Sequence, residues 1–307
     1  MSRIAFIYPG QGAQVCGMGK DFYEQTETGK QMFDQATKLL GFSVPDLCFT
    51  ENEQLNVTEY TQAAMVTTSI AMTMVLEEKG ISPDVTAGLS LGEYCALYAA
   101  KVLSAGDAVT TVRQRGILMQ EAVPAGIGAM AAVLAMDAGA IEEVLAGIAD
   151  VQIANYNCPG QIVISGKTAA VETACEKLKA AGAKRTIMLN VSGPFHSDML
   201  KDAGAELGKV LDTVTIHDPV IPYVANVNAS YVTGAAAVKD LLVQQVSSSV
   251  RWQQSVETML ADGVDTFIEI GPGKTLSGFM KKINRDVTVL NIEKLEDIDK
   301  VMEALSC

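Results

Sequence analysis

Several short runs of the chain are apolar and end at glycine or at a turn, which is the pattern of strands buried on both faces of a parallel sheet. These runs cover residues 4–8, 85–88, 223–226, 267–270 and 287–292. Helical patterns separate them, and the clearest covers residues 59–79, with Thr58 as a candidate N-cap and Gly80 as a candidate stop. Strands that alternate with helices predict an α/β fold with a parallel-sheet core.

The middle of the chain shows a different order of elements. Strand patterns cover residues 129–134, 151–156, 161–165 and 184–189, and helix patterns cover residues 137–147 and 168–181. The resulting order, β-α-β-β-α-β, is that of a small ferredoxin-like unit. Breaks rich in glycine and proline lie at residues 123–128 and near residues 191–194. We therefore expect a small subdomain at residues 127–191, inserted into a large α/β subdomain formed by residues 1–126 and 192–307.

One motif between a strand and a helix points to a serine nucleophile. Gly88-Leu89-Ser90-Leu91-Gly92 matches the pattern G-x-S-x-G, and a helical pattern follows it at residues 93–100. A sharp strand-to-helix turn exposes the serine hydroxyl and points the free N–H groups of the helix N-terminus at a developing oxyanion. The pattern is short enough to arise by chance in a chain with 26 glycines, and a plain tight turn is then the alternative.

A serine nucleophile needs a base, usually a histidine, and the chain has two histidines. His196 lies in a loop rich in glycine and proline that leaves the small subdomain, and such loops often carry catalytic groups. His217 lies in a polar turn before a predicted strand, so we predict His196 as the base. Glu269 and Asp265 are possible third members of a triad by position, but nothing in the sequence selects either of them.

Two arginines, Arg113 and Arg115, lie in the helical segment after this motif. A buried arginine can hold a carboxylate through two parallel charge-assisted hydrogen bonds. The alternative for each arginine is a solvated helix face, which we favour for Arg113.

Charge and composition argue against several classes of protein. The net charge of −13 argues against broad nucleic-acid binding. No stretch approaches the ~20 apolar residues that cross a bilayer, and the N-terminus lacks the features of a signal peptide, so we expect a cytoplasmic protein. The six cysteines show no C-x-x-C spacing, which predicts neither a zinc site nor a disulfide framework.

Further motifs extend over nearly the whole chain. In chain order they are Tyr8-Pro9-Gly10-Gln11-Gly12-Ala13-Gln14, Gly88 to Gly92, Gln114-Arg115-Gly116, Met119-Gln120-Glu121-Ala122, Asn155 to Gly166, Gly193-Pro194-Phe195-His196-Ser197, Ser249-Val250-Arg251-Trp252 and Glu269-Ile270-Gly271-Pro272-Gly273. With these motifs the sequence resembles the malonyl-CoA:acyl-carrier-protein transacylases of bacterial fatty-acid synthesis. The resemblance implies an α/β-hydrolase-like large subdomain with a ferredoxin-like insert.

The resemblance also implies residue roles. Ser90 matches the acylated serine and His196 its base. Gln11 and Leu91 match the residues whose backbone N–H groups form the oxyanion hole, and Arg115 matches the arginine that binds the malonyl carboxylate.

Three more residues are implied to line or adjoin the substrate cleft. Asn155 and Gln161 match cleft residues of the family. Phe195, next to the base, is bulky, so we expect the site to prefer malonyl over methylmalonyl groups.

Two positions depart from the family pattern. Leu89 stands where members often have a histidine that is not the base, so we expect a changed pocket wall rather than lost chemistry. Arg251 stands where many members have glutamine. The family uses a backbone carbonyl there to orient the base, which would account for the missing acid, so we assign that role to the carbonyl of Arg251.

The implied reaction is a ping-pong transfer of malonyl from malonyl-CoA to the phosphopantetheine thiol of acyl carrier protein. The resemblance implies no metal or redox cofactor, no nucleic-acid or membrane partner, and a monomer. Carrier proteins are acidic, as this chain is, so docking needs a basic patch. Two clusters are candidates: Lys281, Lys282 and Arg285, or Lys179, Lys184 and Arg185.

Three other functions share parts of this pattern. A serine hydrolase or thioesterase would have the same serine and histidine, but the Gln11-Gly12 motif and Arg115 argue against it. A free-standing acyltransferase of a polyketide synthase is barely distinguishable by sequence. A carrier-protein binding module without catalysis fits poorly with the combination of Ser90, His196 and Arg115.

Overall fold

The computed structural model describes residues 2–124 and 126–305, and the predicted segments that include Met1, Ala125, Ser306 and Cys307 are tested only outside those four positions. Two sheets organise the described residues. The strands of the larger sheet are β1 (Ile4–Tyr8), β2 (Val85–Gly88), β7 (Tyr223–Val224), β8 (Tyr231–Val232), β9 (Thr266–Ile270) and β10 (Thr288–Ile292). Those of the smaller sheet are β3 (Gly128–Leu134), β4 (Val151–Cys158), β5 (Gln161–Lys167) and β6 (Arg185–Met188).

The larger sheet has the strand order β10-β9-β1-β2-β7-β8. Its pairs are parallel except for β7 and β8, which form a short antiparallel edge that the apolar runs did not predict. In β1 and β2, Tyr8 lies opposite Gly88, so the two strands end at the same edge of the sheet. The loops that follow them, at residues 9–12 and 89–91, therefore lie side by side, and the Leu89 N–H donates to the Tyr8 carbonyl at 3.0 Å.

Helices cover both faces of this sheet. They are α1 (Lys20–Gln25), α2 (Glu27–Leu40), α3 (Val44–Phe49), α4 (Thr58–Glu78), α5 (Gly92–Ala99), α6 (Ala105–Glu121), α9 (Lys201–Leu211), α10 (Val238–Ser247), α11 (Trp252–Ala261), α12 (Thr275–Ile283) and α13 (Asp297–Leu305). Helix α4 is buried over nearly all its surface, as expected for a helix that is apolar all round. Thr58 is its first residue rather than its N-cap, which is Val57, and the Thr58 hydroxyl instead bonds to Gln11 and Ser192.

The smaller sheet is antiparallel, with the strand order β4-β5-β3-β6. Helices α7 (Ala138–Leu145) and α8 (Thr168–Ala180) pack with it around a separate apolar core that includes Val133, Ile164 and Leu178. This arrangement confirms the predicted fold class of a parallel-sheet core plus a βαββαβ unit. Strand β4 runs two residues beyond its predicted end and is irregular between Ile153 and Asn155.

Backbone hydrogen bonds join strand β4 of the smaller sheet to Val250, which lies between α10 and α11. The Val250 N–H donates to the Ala154 carbonyl at 2.8 Å, and the Tyr156 N–H donates to the Val250 carbonyl at 2.9 Å. Val250 directly precedes Arg251, the N-cap of α11, so these hydrogen bonds attach the β4 edge of the smaller sheet to the large subdomain. Side chains of the smaller sheet and of the loops and helices around the larger sheet line one cavity. Within the described residues, no helix is both long and apolar enough to span a bilayer.

Candidate active site

Ser90 lies at the turn between β2 and α5, with φ near +52°, a left-handed conformation that L-residues adopt at a cost. The turn needs glycine on both sides, because a Cβ at Gly88 would collide with the backbone of Gly92, and one at Gly92 with the Tyr8 carbonyl. Asn226 clamps the turn: the Ser90 N–H donates to its Oδ1 at 2.6 Å, and its Nδ2 donates to the Gly88 carbonyl at 2.6 Å. The predicted nucleophile turn is therefore formed and held by a side chain from beyond β7.

His196 is buried, and its Nε2 lies 2.7 Å from the Oγ of Ser90. Its Nδ1 lies 2.8 Å from the backbone carbonyl of Gln245. A carbonyl only accepts hydrogen bonds, so Nδ1 carries the proton and Nε2 is free to accept from the serine hydroxyl. His196 also has a left-handed φ near +56°, and the Gln152 side chain on β4 donates to its carbonyl at 3.2 Å.

The carbonyl that orients His196 belongs to Gln245 at the end of α10, and our assignment of this role to Arg251 was wrong. The Arg251 carbonyl accepts from the N–H and the hydroxyl of Ser255, both at 2.9 Å. The reason is local: Arg251 is the N-cap of α11, so its carbonyl starts the hydrogen-bond ladder of that helix. Its guanidinium lies over the Tyr156 ring, 5.5 Å from the centroid.

Burial, and to a lesser extent the positive charge of Arg115, lower the pKa of His196 to about 4, although its backbone hydrogen bonds oppose the shift. The imidazole is therefore neutral at physiological pH. A neutral imidazole that accepts from a serine hydroxyl is the state that a general base requires.

Arg115 is a buried residue of α6, and its guanidinium contacts Ser90. Its Nη2 donates to the Ser90 Oγ at 3.2 Å and to the Gln245 Oε1 at 2.9 Å, and its Nη1 donates to the Gln62 Oε1 at 2.8 Å. The Nε is buried without a partner among the described residues. Within that part of the chain no carboxylate forms an ion pair with Arg115. An acidic substrate group near Ser90 would therefore meet a buried cation held only by neutral groups.

Gln11 and Leu91 lie in the two loops that follow β1 and β2. Within the described residues, neither backbone N–H donates a hydrogen bond. Leu91 directly follows the nucleophile, where a free N–H is expected at the start of a helix. The Gln11 side chain donates to the Thr58 hydroxyl at 3.1 Å, which anchors its loop on α4. Both N–H groups are thus available to a negatively charged oxygen.

A cavity of about 840 Å³ opens above Ser90 and His196. Asn155 and Gln161 of the smaller sheet line it, as does Phe195 next to the base. Leu89, where the family often has histidine, forms part of its wall, as expected. The remaining lining residues include Gly10, Gln11, Thr58, Gln62, Arg115, Met119, Met130, Asn157, Ser192, Thr275 and Phe279.

Four alternatives weighed in the sequence lie elsewhere. The Arg113 guanidinium pairs with Glu59 at 2.6 Å and lies 4.3 Å from the Tyr60 ring centroid. Glu269 accepts from the N–H groups of Leu276 and Ser277 at the start of α12. Asp265 accepts from Ser2 and Thr266, and the His217 N–H donates to the Val102 carbonyl. None of these four contacts the Ser90–His196 pair.

Sequence reasoning missed the polar side chains beneath this pair: Gln62, Glu93, Asn226 and Gln245. Gln62 carried a weak signal, because it is a large polar residue in a helix whose other buried residues are apolar or carry short hydroxyl side chains. Glu93 is the second residue of α5 and Gln245 the eighth residue of α10, and neither position has a motif of its own. Their importance arises from contacts with residues that are distant in sequence, such as the hydrogen bond between Gln245 and Glu93 across 152 residues.

Comparisons with known proteins agree with this geometry. Residues 5–296 match the acyl transferase domain family. The chain is 50% identical to the malonyl CoA-acyl carrier protein transacylase of Bacillus subtilis (strain 168), over 99% of this chain and 98% of that protein. It is 44% identical to the protein of the same name from Staphylococcus aureus (strain MRSA252), over 97% of this chain and 98% of that protein.

Solved structures give the same result. The malonyl CoA-acyl carrier protein transacylase from Clostridium perfringens superposes with a TM-score of 0.96 at 42% identity, over 99% of this chain and 98% of that chain. A malonyl-transacylase in complex with its type II PKS acyl-carrier protein superposes with a TM-score of 0.94 at 38% identity, over 99% and 100%. The chain therefore belongs to the acyl transferase domain family, within its malonyl CoA-acyl carrier protein transacylase branch.

Proposed function

We propose that the protein transfers malonyl from malonyl-CoA to the phosphopantetheine thiol of an acyl carrier protein, through a malonyl ester on Ser90. The observation that carries this proposal is the convergence at the Ser90 Oγ. The unprotonated nitrogen of His196 lies 2.7 Å from that oxygen, and the Arg115 Nη2 lies 3.2 Å from it. A nucleophile, its base and a partner for a carboxylate thus lie at one point.

In the first half-reaction, the Ser90 hydroxyl attacks the thioester carbonyl while its proton passes to the Nε2 of His196. The N–H groups of Gln11 and Leu91 stabilise the oxyanion, and one such donor is worth about 3 kcal/mol of the barrier. The carbon–sulfur bond then breaks, and the proton on His196 passes to the departing coenzyme A thiolate. A malonyl ester on Ser90 and free coenzyme A result.

In the second half-reaction, the carrier-protein thiol gives its proton to His196 and its sulfur attacks the ester carbonyl. Ser90 leaves and takes the proton back from His196, which restores the free enzyme. Each step uses a side chain or a backbone group of this chain.

Arg115 sets the preference for an acyl group that ends in a carboxylate. The guanidinium, which neutral amides hold in place, can bind the malonyl carboxylate through charge-assisted hydrogen bonds. The ring of Phe195 narrows the cavity next to the base, which disfavours the extra methyl of methylmalonyl. Asn155 and Gln161 face the same cavity from the smaller sheet.

Intact-protein mass spectrometry after brief incubation with malonyl-CoA tests the proposed function. We expect the wild type to gain the mass of one malonyl group, and the Ser90→Ala variant to gain none. Carrier protein should discharge the adduct faster than water does. Rapid release of malonate, with no transfer to carrier protein, would instead identify a hydrolase.

One comparison favours a second candidate for the acceptor. The 38% identical malonyl-transacylase is complexed with a type II PKS acyl-carrier protein, so the acceptor here could belong to polyketide rather than fatty-acid synthesis. Discharge rates of malonylated enzyme, measured with a carrier protein of each kind from the source organism, would distinguish the two.

We place the docking site for the carrier protein at Lys281, Lys282 and Arg285, at the end of α12. Thr275 and Phe279 of this helix line the cavity, and the Lys282 Nζ lies 3.5 Å from the Gln161 side chain at its wall. A positive surface there would attract an acidic partner to the cavity entrance.

A triple charge reversal, Lys281→Glu with Lys282→Glu and Arg285→Glu, should slow discharge to carrier protein about tenfold, because steering between opposite charges is lost. Discharge to free pantetheine, which has no protein surface, should not change. Lys201→Glu with Lys209→Glu on α9 is the control for charge reversal at another surface. Equal slowing with both acceptors would contradict docking at this surface.

A further inference from the structure

Glu93 is a buried carboxylate beneath the active site, and it takes part in none of the proposed reaction steps. It is 1% exposed, and its Oε2 accepts from the Gln245 Nε2 at 2.6 Å and from the Asn226 N–H at 3.3 Å. Both donor residues also hold catalytic groups: Asn226 clamps the Ser90 turn, and the Gln245 carbonyl orients His196. The carboxylate therefore links two separate supports of the site.

The orientation of the Gln245 amide follows from these contacts. Its Nε2 carries two protons, and two acceptors use them: the Glu93 Oε2 at 2.6 Å and the Ser90 carbonyl at 2.9 Å. The Oε1 must then face the other way, where it accepts from Arg115 at 2.9 Å. A reversed amide would place its oxygen against a carboxylate and its NH₂ against a guanidinium, and both contacts would be repulsive.

Arg115 benefits from this orientation because its neighbours are neutral acceptors. Gln62 and Gln245 each offer an amide oxygen, while Glu93 lies one residue further away, behind Gln245. The guanidinium is held in place without being neutralised by direct contact with a carboxylate. It therefore keeps its charge for an incoming acidic group.

We infer that Glu93 is a positioning residue that sets the direction of the Gln245 amide, and thereby the placement of Arg115 for the malonyl carboxylate. This inference rests on the proposed function. Glu93 acts as a hydrogen-bond acceptor and does not touch substrate.

Burial raises the pKa of Glu93 to about 7, against the hydrogen bonds from Gln245 and Asn226 and the charge of Arg115, which lower it. In the described part of the chain no hydrogen bond reaches the Oε1 of Glu93. A proton there would leave the Oε2 able to accept, so a side chain with an uncharged oxygen should serve the same purpose. The role of Glu93 as a hydrogen-bond acceptor can therefore be tested separately from its negative charge.

The test compares Glu93→Gln, which keeps an acceptor oxygen, with Glu93→Met, which has a similar length and none. For each variant, kcat/KM is measured with malonyl-CoA and with acetyl-CoA, and Tm is measured alongside. We expect the malonyl-to-acetyl ratio to fall about tenfold in the Met variant, the effect of losing the buried hydrogen bond to the Gln245 amide, and to stay near the wild-type ratio in the Gln variant. Val256→Ala, in the core of α11 away from the cavity, is the control that lowers Tm without changing the ratio.

An unchanged ratio in the Met variant would overturn the inference and leave Glu93 a structural residue. An equal fall in the Gln variant would also overturn it, in favour of a role for the charge. If the Met variant does not fold, Glu93→Asp replaces it, because the shorter side chain withdraws the acceptor from Gln245 and should lower the ratio in the same direction. A wild type without a malonyl adduct would overturn the proposed function itself, which these ratios do not measure.

Discussion

Replacing Arg115 with alanine should reduce malonyl transfer by about 30-fold to several thousand-fold, because truncating one partner of a buried charge pair costs about 2–5 kcal/mol. Acetyl transfer should hold or rise, since an acetyl group has no carboxylate and leaves the guanidinium of the wild type without a charged partner. The variant should therefore invert the order of the two substrates. The measurement is kcat/KM for malonyl-CoA and for acetyl-CoA.

Arg113→Ala is the matched control for this experiment. Arg113 lies two positions before Arg115 on the same helix and pairs with Glu59 outside the cavity. Its loss should therefore affect stability and leave the malonyl-to-acetyl ratio unchanged. An equal reduction of malonyl and acetyl transfer in Arg115→Ala would contradict a role in substrate choice. It would show instead that Arg115 acts mainly on Ser90.

Replacing His196 with alanine should reduce acylation of Ser90 by about 10⁴-fold or more, because the serine then lacks a base and the oxyanion donors alone remain. The rate is followed as the appearance of malonylated enzyme after rapid mixing with malonyl-CoA. His217→Ala, in a turn that does not contact Ser90, should acylate at the wild-type rate. Similar losses in both variants would exclude His196 as the specific base.

The pH dependence of acylation provides an independent test of the same residue. Only neutral imidazole can accept the serine proton, and burial together with Arg115 lowers the pKa of His196 to about 4. The acylation rate should therefore change little as pH falls from 8 to about 5, and it should decline as pH approaches 4. A half-maximal rate near pH 6.5 would show that His196 titrates as an ordinary exposed histidine.

The fold was predictable where the local pattern reports the environment of the backbone. Strands β1 and β2 were predicted to the residue, since strands buried on both faces are apolar throughout. The two-residue edge strand at Tyr231–Val232 was not predicted, because so short a segment has no period. Helix ends differed by at most two residues, as at Ala138–Leu145, where capping and packing choose among similar positions.

The residues of the candidate site likewise include some that the local sequence predicts and some that it does not. Ser90 and His196 were predictable because the chemistry requires those side chains and the turn requires flanking glycines. The carbonyl that orients His196 was not, because any residue supplies a carbonyl and only the helix geometry at Gln245 and Arg251 decides which one is free. Glu93 was missed because its burial depends on neighbours that are distant in sequence.

The Ser90–His196 contact also has a consequence for how the protein reaches its native state. Ser90 and His196 are 106 residues apart, and β3 to β6 lie between them, while Gln245 follows His196 by a further 49 residues. Contacts that close such long loops form late, after the local helices. During refolding, far-ultraviolet circular dichroism should therefore recover before the capacity for acylation. Recovery of acylation activity therefore reports complete folding of this protein, whereas recovery of helical content does not.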